Sequence, residues 1–336
     1  MVGYIIRRVL WIIPVLIVVA AVTFFLMYRA PGGPWSREKP IPPATEQRLN
    51  EKFGLDKPGW FSPDALSPAW EGGERNPFTL GRAYLDSQFF NYMFGVAQGD
   101  LGPSYQSKGT RDVQDILIEK FPASAKLGLV GIAFAVIIGI PLGIAGALRQ
   151  NSVVDYVSLS ISTLGMSIPT FVIGVLLIIV LSQVFGIPPI KRPEEWNGLS
   201  TAYLAPGIVL GLGTMAYVTR LTRSAMLEIT RQDYVRTARA KGLSSRTVVT
   251  RHMMRNAMIP VITILGPAIA ALVTGSFIIE SIFNVPGMGR EFVTSIDRRD
   301  YSMIMGTTLF YAFLVAIANL WVDITYGLLD PRIRSR

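Results

Sequence analysis

Six long apolar segments constrain the fold of this chain more than any other feature. They lie near Val9–Tyr28, Ala123–Leu148, Val157–Phe185, Tyr203–Leu221, Ile259–Ile279 and Met303–Leu328. A helix needs about 20 such residues to cross a hydrocarbon core of about 30 Å. An open sheet edge would leave backbone polar groups without partners in lipid, so helices are the structure that fits. The segments therefore predict an all-α integral membrane protein with six transmembrane helices.

The composition agrees with a membrane protein and excludes several kinds of site. Half of the residues are hydrophobic and 16% are charged, which is too apolar for a typical soluble domain. The chain has no Cys and one His, His252, so disulfides, thiolate sites and a catalytic zinc site are excluded as main features. We interpret His252 as an interface residue.

The net charge of +9 is explained by membrane orientation. With the N-terminus inside, the inner face holds 15 of the 32 Lys/Arg and four of the 23 Asp/Glu. The outer face is about neutral, so the distribution follows the positive-inside rule. We expect both termini to be cytoplasmic, and no nucleic-acid partner is needed to explain the charge.

A long outer loop, 29–121, separates the first two apolar segments. It contains clustered Pro, Gly and Trp, and its composition predicts short helices near Ala44–Phe53 and Arg82–Ala97. A structureless loop of this length would be unusual, so we expect an extracytoplasmic subdomain, with a mobile linker as the alternative. The expected domains are a transmembrane helix (1–28), this subdomain (29–121), a five-helix core (122–329) with a cytoplasmic loop (222–258), and a cytoplasmic tail (330–336).

The inner loop between the fourth and fifth segments is strongly basic. Nine Lys/Arg and only two acids lie between Arg220 and Pro260. Its residues favour a short helix from Asp233 that ends at Gly242 in a left-handed conformation, after which Ser244 or Ser245 caps a second helix. Such an element transmits rigid-body motion from a soluble motor, and a plain basic loop that satisfies the positive-inside rule is the alternative.

This loop resembles the cytoplasmic "EAA" loop of type I ABC-importer permeases, which in that family grips the ATPase. Counted back from Gly242, the Glu-Ala-Ala positions fall on Arg236, Thr237 and Ala238, so only the last Ala and the Gly match the general pattern. The form RTARAKGL after DYV is instead similar to the peptide-transporter branch. The resemblance therefore assigns ATPase coupling to Asp233, Tyr234, Arg236, Thr237, Ala238, Arg239, Lys241 and Gly242.

Other motifs along nearly the whole chain are similar to oligopeptide permeases, and the combination of REKPIPP with KLG and WNG leans toward the oligopeptide B-type subunit over the dipeptide or nickel one. Their order and spacing carry the resemblance. They are RRVLWIIPVLIVVAAVTFFLMYRAPGGP, GDLGPSYQS, FPASAKLG, IPLGIAGALRQNS, IESIFNVPGMG, RRDYSMIMG and LLDPRIR.

The resemblance implies a MetI-like permease bundle in the cytoplasmic membrane of a bacterium or archaeon. It also implies a homologous second permease, two ABC ATPase subunits, an extracytoplasmic substrate-binding protein and membrane lipid as partners. ATP and Mg²⁺ would be bound by the ATPases, because this sequence has no P-loop pattern, and this chain would bind no cofactor and catalyse no reaction. The expected cargo is an oligopeptide, with dipeptides, nickel chelates, glutathione and oligosaccharides as alternatives.

A candidate gate or substrate path lies at the outer end of the fifth segment. Glu280 is an ionisable group near membrane depth, where we expect it to bind a substrate amine, hold an outer gate, or pair with a basic residue such as Arg290. Asn284, Pro286 and Gly287 follow it in a turn that fits a gate, a binding-protein contact or a simple turn. Asp323 we expect to pair with a cytoplasmic Arg.

Two other classes of membrane protein fit less well. An intramembrane hydrolase needs a nucleophile with a base, or metal ligands, and neither a G-x-S-x-G nor an H-E-x-x-H pattern occurs in the sequence. An ion-coupled secondary transporter often shows internal repeats and carboxylates within its membrane helices. We find no internal repeat and no acid in the middle of any of the six segments.

Overall fold

The computed structural model describes residues 2–35, 41–63, 76–198 and 200–329. Within these ranges the chain is helical, and its one β feature is an isolated bridge between Pro103 and Asp112. The helices are α1 (Val2–Arg29), α2 (Pro43–Phe53), α3 (Pro77–Tyr84), α4 (Gln88–Ala97), α5 (Val113–Leu148), α6 (Val153–Ser167), α7 (Thr170–Ile179), α8 (Leu204–Thr230), α9 (Asp233–Ala240), α10 (Ser245–Thr247), α11 (Met254–Val273), α12 (Phe277–Phe283), α13 (Gly289–Asp297) and α14 (Tyr301–Leu329).

By length and composition, five of the described helical stretches are able to cross a membrane. They are Ile5–Arg29, Val113–Leu148, Thr201–Thr230, Ser245–Val273 and Tyr301–Ile324. A sixth span exists only if α6 and the stretch Thr170–Val184 are counted together, because the chain bends by 103° between them. The six-helix count therefore depends on this bent pair.

The sequence predicted two of these segments with the wrong continuity. The segment expected over Val157–Phe185 is broken beside Pro169, which lacks an amide donor and disfavours a helical residue before it. The segment expected over Ile259–Ile279 ends at Val273, where Gly275 adopts a φ of +86°. Glu280 consequently lies in the separate short helix α12 and does not end the fifth segment.

The packing divides the chain into two compact units. The first covers the described parts of Met1–Leu10, Lys120–Arg290 and Phe313–Arg336, and the second covers those of Trp11–Glu119 and Glu291–Ala312. The domain bounds predicted from the sequence stay predictions. The predicted tail, 330–336, lies outside the described residues.

In the first unit, α5 packs closely against α6 and α8 through glycines. A Cβ on Gly143 would lie 2.6 Å from the carbonyl oxygen of Thr219, and one on Gly139 would lie 2.9 Å from that of Met215. A Cβ on Gly146 would lie 3.3 Å from a carboxylate oxygen of Asp155 on α6. These glycines thus form a helix-packing surface on α5, as small residues do in other membrane bundles.

The second unit has a core rich in aromatic side chains. Phe24 of α1 makes edge contacts with Trp60 and Phe89, with ring centroids 5.0 and 5.3 Å apart. Trp35 stacks on Tyr105 at 5.5 Å. The outer-loop helix expected over Ala44–Phe53 is present as α2, whereas the one expected over Arg82–Ala97 is split into α3 and α4. The split falls at Ser87, whose side chain accepts a hydrogen bond from the Phe90 amide and caps α4.

Candidate functional site

Helix α9 ends with a Schellman motif, which the sequence signal of Gly242 predicted. The Gly242 amide donates to the Arg239 carbonyl at 2.9 Å, and the Leu243 amide donates to the Ala238 carbonyl at 3.4 Å. Gly242 itself has a φ of +76°, which favours glycine. Ser244 then accepts a hydrogen bond from the Thr247 amide, so it caps the next helix as expected. The chain therefore turns sharply directly after α9.

Helix α9 has one buried face and one exposed face. Val235 and Ala238, three residues apart, are buried in an apolar cluster with Met226 of α8, Val248 and Met253. Of the eight residues predicted to couple to an ATPase, Ala238 thus packs inside the unit. The other seven are exposed: Asp233, Tyr234, Arg236, Thr237, Arg239, Lys241 and Gly242.

The cluster beneath α9 includes two methionines of this chain. Met253 is fully buried, and Met258 packs against the same cluster. His252 is half-buried beside them.

A buried ion pair connects α8, the helix that leads into α9, to α6. Arg223 Nη2 donates to Asp155 Oδ2 at 2.8 Å, its Nε also donates to that carboxylate, and the Asn151 amide adds a bond of 2.9 Å. Asp155 is 1% exposed. In the sequence, both residues are apparent only as charges of the predicted inner face. The one local signal was an acid in the first turn of an apolar helix, and nothing local indicated which Arg it meets.

Glu280 is fully buried and joins three segments. Ser124 Oγ of α5 donates to Glu280 Oε1 at 2.7 Å and accepts from the Met288 amide, also at 2.7 Å. The Arg290 amide donates to Glu280 Oε2 at 3.2 Å. Arg290, the basic partner expected for Glu280, therefore contributes its backbone amide to this network. The motifs FPASAKLG and IESIFNVPGMG meet here.

The other three candidate gate residues, Asn284, Pro286 and Gly287, differ in how far they are buried. Gly287 is buried, and a Cβ there would lie 2.5 Å from Glu280 Cδ. Asn284, with a φ of +55°, ends α12, and both Asn284 and Pro286 are exposed. The turn thus shows two side chains at the surface while its glycine packs on the buried carboxylate.

A second buried carboxylate, Asp300, was missed as a site residue. It accepts hydrogen bonds from Ser104 Oγ at 2.6 Å and from the amides of Tyr105, Gln106 and Met303 at 3.0–3.1 Å. The bond from Met303, three residues on, is that of an N-cap residue, a signal present in the sequence. Asp300 thereby ties GDLGPSYQS to RRDYSMIMG, and burial raises the pKa of the neighbouring Tyr105 phenol well above its usual range.

Two further expectations concern ion pairs and metals. Asp323 pairs with Arg8, which confirms an Arg partner, and the cytoplasmic side of this pair stays a prediction. Among the described residues, no group of three His, Asp or Glu side chains is placed to hold a metal ion. That this chain binds no cofactor stays a prediction.

Comparison with known proteins places the chain among transport permeases. It is 39% identical over 334 residues to the dipeptide transport system permease protein DppB of Bacillus subtilis (strain 168), which covers 99% of this chain and 98% of that one. It is 36% identical to the oligopeptide transport system permease protein OppB of Haemophilus influenzae, covering 99% and 100% of the two chains. For OppB of Escherichia coli (strain K12) the identity is 34%, with the same coverage.

The fold has a match among solved structures. A chain of the MetNI methionine ABC transporter in inward-facing conformations superposes with a TM-score of 0.52 and 18% identity, covering 65% of this chain and 97% of that chain. This similarity supports the MetI-like fold expected from the sequence. The profile of the family described as "Binding-protein-dependent transport system inner membrane component" matches residues 139–335, more than half of the chain. The chain belongs to this family of binding-protein-dependent transport system inner membrane components.

Proposed function

We propose that this chain is a permease subunit of an ABC peptide importer. The observation that carries the proposal is the match over 99% of the chain to dipeptide and oligopeptide permeases. The complex would comprise this chain, a homologous second permease, two ABC ATPase subunits and an extracytoplasmic substrate-binding protein. ATP and Mg²⁺ would be bound by the ATPases, and this chain itself would catalyse no reaction. It would lie in a cytoplasmic membrane with both termini inside.

The exposed face of α9 is proposed to contact an ATPase. It combines the cations of Arg236, Arg239 and Lys241 with the aromatic Tyr234, and Arg and Tyr are both enriched in protein interfaces. The buried face would pass motion onward, because Val235 and Ala238 share one apolar cluster with α8 and the segment before α11. Packed interiors transmit displacement instead of absorbing it.

The ion pair between Arg223 and Asp155 would extend this connection from α8 to α6. Both groups are fixed by more than one hydrogen bond, so a shift of α8 acts directly on the start of α6. Movement of α9 would then reach the helices α6, α8 and α11 together. Such rigid-body motion of helices is one way in which a bundle changes the side to which it is open.

The turn after α12 is proposed to act as an outer gate or part of the substrate path. Asn284 and Pro286 would make the contacts, since both are exposed, while Glu280 and Gly287 hold the turn in place from beneath. A fully buried Glu280, already bonded to Ser124, is better placed to fix the turn than to bind a substrate amine.

The cargo is tested by ATP hydrolysis. The complex, reconstituted in membranes with its own binding protein, should hydrolyse ATP faster when peptides are added, and oligopeptides and dipeptides should be compared separately. A nickel chelate, glutathione and an oligosaccharide serve as matched additions. Stimulation by one of these instead of peptides would contradict the proposed cargo, and hydrolysis indifferent to every addition would contradict the importer mechanism.

A further inference from the structure

The second unit contains a cavity that the proposed coupling mechanism does not use. Its volume is about 220 Å³. The walls come from the end of α1, the end of α2 with the turn after it, α4, the segment 102–105 and the start of α14. A cavity of about 150 Å³ is large enough to hold a benzene ring. This one therefore has room for an aromatic ring with a small polar substituent.

The cavity is amphipathic. Met27 and Met305 line it with side chains that are 8% and 2% exposed, and Phe24 adds a buried aromatic ring. Leu55 contributes a half-buried aliphatic wall, while Lys52 lines the cavity with an exposed side chain. An apolar body placed against the methionines would therefore keep its polar end near Lys52.

Charge at the cavity favours an anion. The described residues that line it include Lys52 and Lys57 and no acid. Lys57 Nζ donates to Asp86 Oδ1 at 2.7 Å, and this hydrogen bond lowers the pKa of Asp86, so the charge of Lys57 is balanced by a carboxylate outside the cavity wall. Lys52 Nζ donates instead to the neutral carbonyl of Lys108 at 2.7 Å. Among the described residues no carboxylate pairs with Lys52, whose Nζ lies 5.6 Å from the centroid of the Phe53 ring.

Lys52 is also a donor that is free to adapt. An ammonium group has three donors, and the bond to Lys108 uses one of them. The side-chain amide of Gln88, by contrast, already donates to the carbonyls of Leu55 and Lys57 at 3.0 and 2.6 Å. A ligand with one carboxylate matches this arrangement, because charge-assisted hydrogen bonds are stronger than neutral ones.

We propose that this cavity binds the carboxylate end of a hydrophobic ligand, with the carboxylate on Lys52 and the apolar body against Met27, Met305 and Phe24. The ligand class follows from the cavity alone. That the carboxylate is the C-terminus of a peptide rests on the proposed function. The second unit would then hold a subsite of its own for the cargo.

The test is equilibrium dialysis of the purified complex in lipid nanodiscs, without the binding protein, against radiolabelled N-acetyl-L-phenylalanine. We expect saturable binding at one site per copy of this chain. N-acetyl-L-phenylalaninamide, which lacks the negative charge, should compete at least about tenfold more weakly. No saturable binding, or equal competition by the amide, would overturn the proposal.

Two variants locate the site. Lys52→Met keeps the length of the side chain and removes the ammonium, and Leu55→Trp fills the cavity. Each should weaken binding of the probe at least about tenfold. Arg48→Met, on the same helix and outside the cavity wall, is the matched control and should bind as the parent does. Binding that survives both Lys52→Met and Leu55→Trp would place the probe elsewhere and overturn the assignment.

A third probe separates two sources of the carboxylate. Laurate carries the same group on a lipid-like chain, and we expect it to compete more weakly than N-acetyl-L-phenylalanine. Stronger competition by laurate would overturn the assignment to a peptide in favour of a fatty acid. These measurements use no ATP, so a failure here is distinguishable from a failure of peptides to stimulate hydrolysis.

Discussion

Of the single changes to side-chain contacts in the first unit, replacing Arg223 with Met should destabilise the complex most. The substitution leaves Asp155, which is 1% exposed, without its cation. Removing one partner of a buried ion pair costs about 3–5 kcal/mol, because the remaining charge stays buried without its counter-ion. The apparent melting temperature of the purified complex should therefore fall by several degrees, and substrate-stimulated ATP hydrolysis should fall with it.

Two companion variants make this prediction specific. Arg231→Met removes an exposed cation just after the same helix and should leave the melting temperature nearly unchanged. Adding Asp155→Asn to Arg223→Met should recover part of the lost stability, since the buried group is then neutral. If Arg223→Met melts like the parent complex, the ion pair does not connect α6 to α8 in the assembled protein.

Replacing Gly242 with Val should uncouple ATP hydrolysis from substrate while the chain still inserts into the membrane. Gly242 has a φ of +76°, and a β-branched residue is an outlier in that region. Backbone strain of this kind costs about 1–3 kcal/mol. We expect the turn after α9 to change conformation and so relieve the strain. Apart from its two chain neighbours, no described residue has an atom within 4 Å of the position of a Cβ, so the cost comes from the backbone and not from a clash.

Two substitutions of Gly242 distinguish the effect of backbone strain from the effect of losing the glycine. Asn tolerates the left-handed conformation better than other residues, so Gly242→Asn should retain most of the substrate-stimulated hydrolysis. Gly242→Val should retain little of it. Equal activity of the two variants would contradict the role of the left-handed turn in holding α9.

Local sequence patterns were sufficient for four of the six membrane segments and for the ends of α9. Apolar runs of about 20 residues, the glycine at 242 and the serine at 244 each act within a few residues of themselves. Their effects follow from helix length, left-handed backbone and capping. The pattern was insufficient at Pro169, because hydropathy does not distinguish a kinked helix from two helices separated by a bend of 103°.

The buried polar contacts were not predictable because they join distant parts of the chain. Asp155 and Arg223 are 68 positions apart, and Ser124 and Glu280 are 156 apart. Each residue is apparent in the sequence through its charge or through a motif that contains it, but no local pattern specifies its partner. The motifs were informative here, because FPASAKLG contains Ser124, IESIFNVPGMG contains Glu280, and these two residues are hydrogen-bonded to each other.

Site-specific cross-linking is the measurement that tests whether the exposed face of α9 contacts an ATPase. The chain has no Cys, so Arg236→Cys introduces a single thiol on that face, and Arg48→Cys on α2 is an equally exposed control. Each variant, labelled with a maleimide benzophenone and irradiated within the whole complex, reports its neighbours. We predict an adduct with the ATPase subunit from position 236 and none from position 48. No ATPase adduct from position 236, or equal adducts from both positions, would show that this face of α9 does not contact the ATPase as proposed.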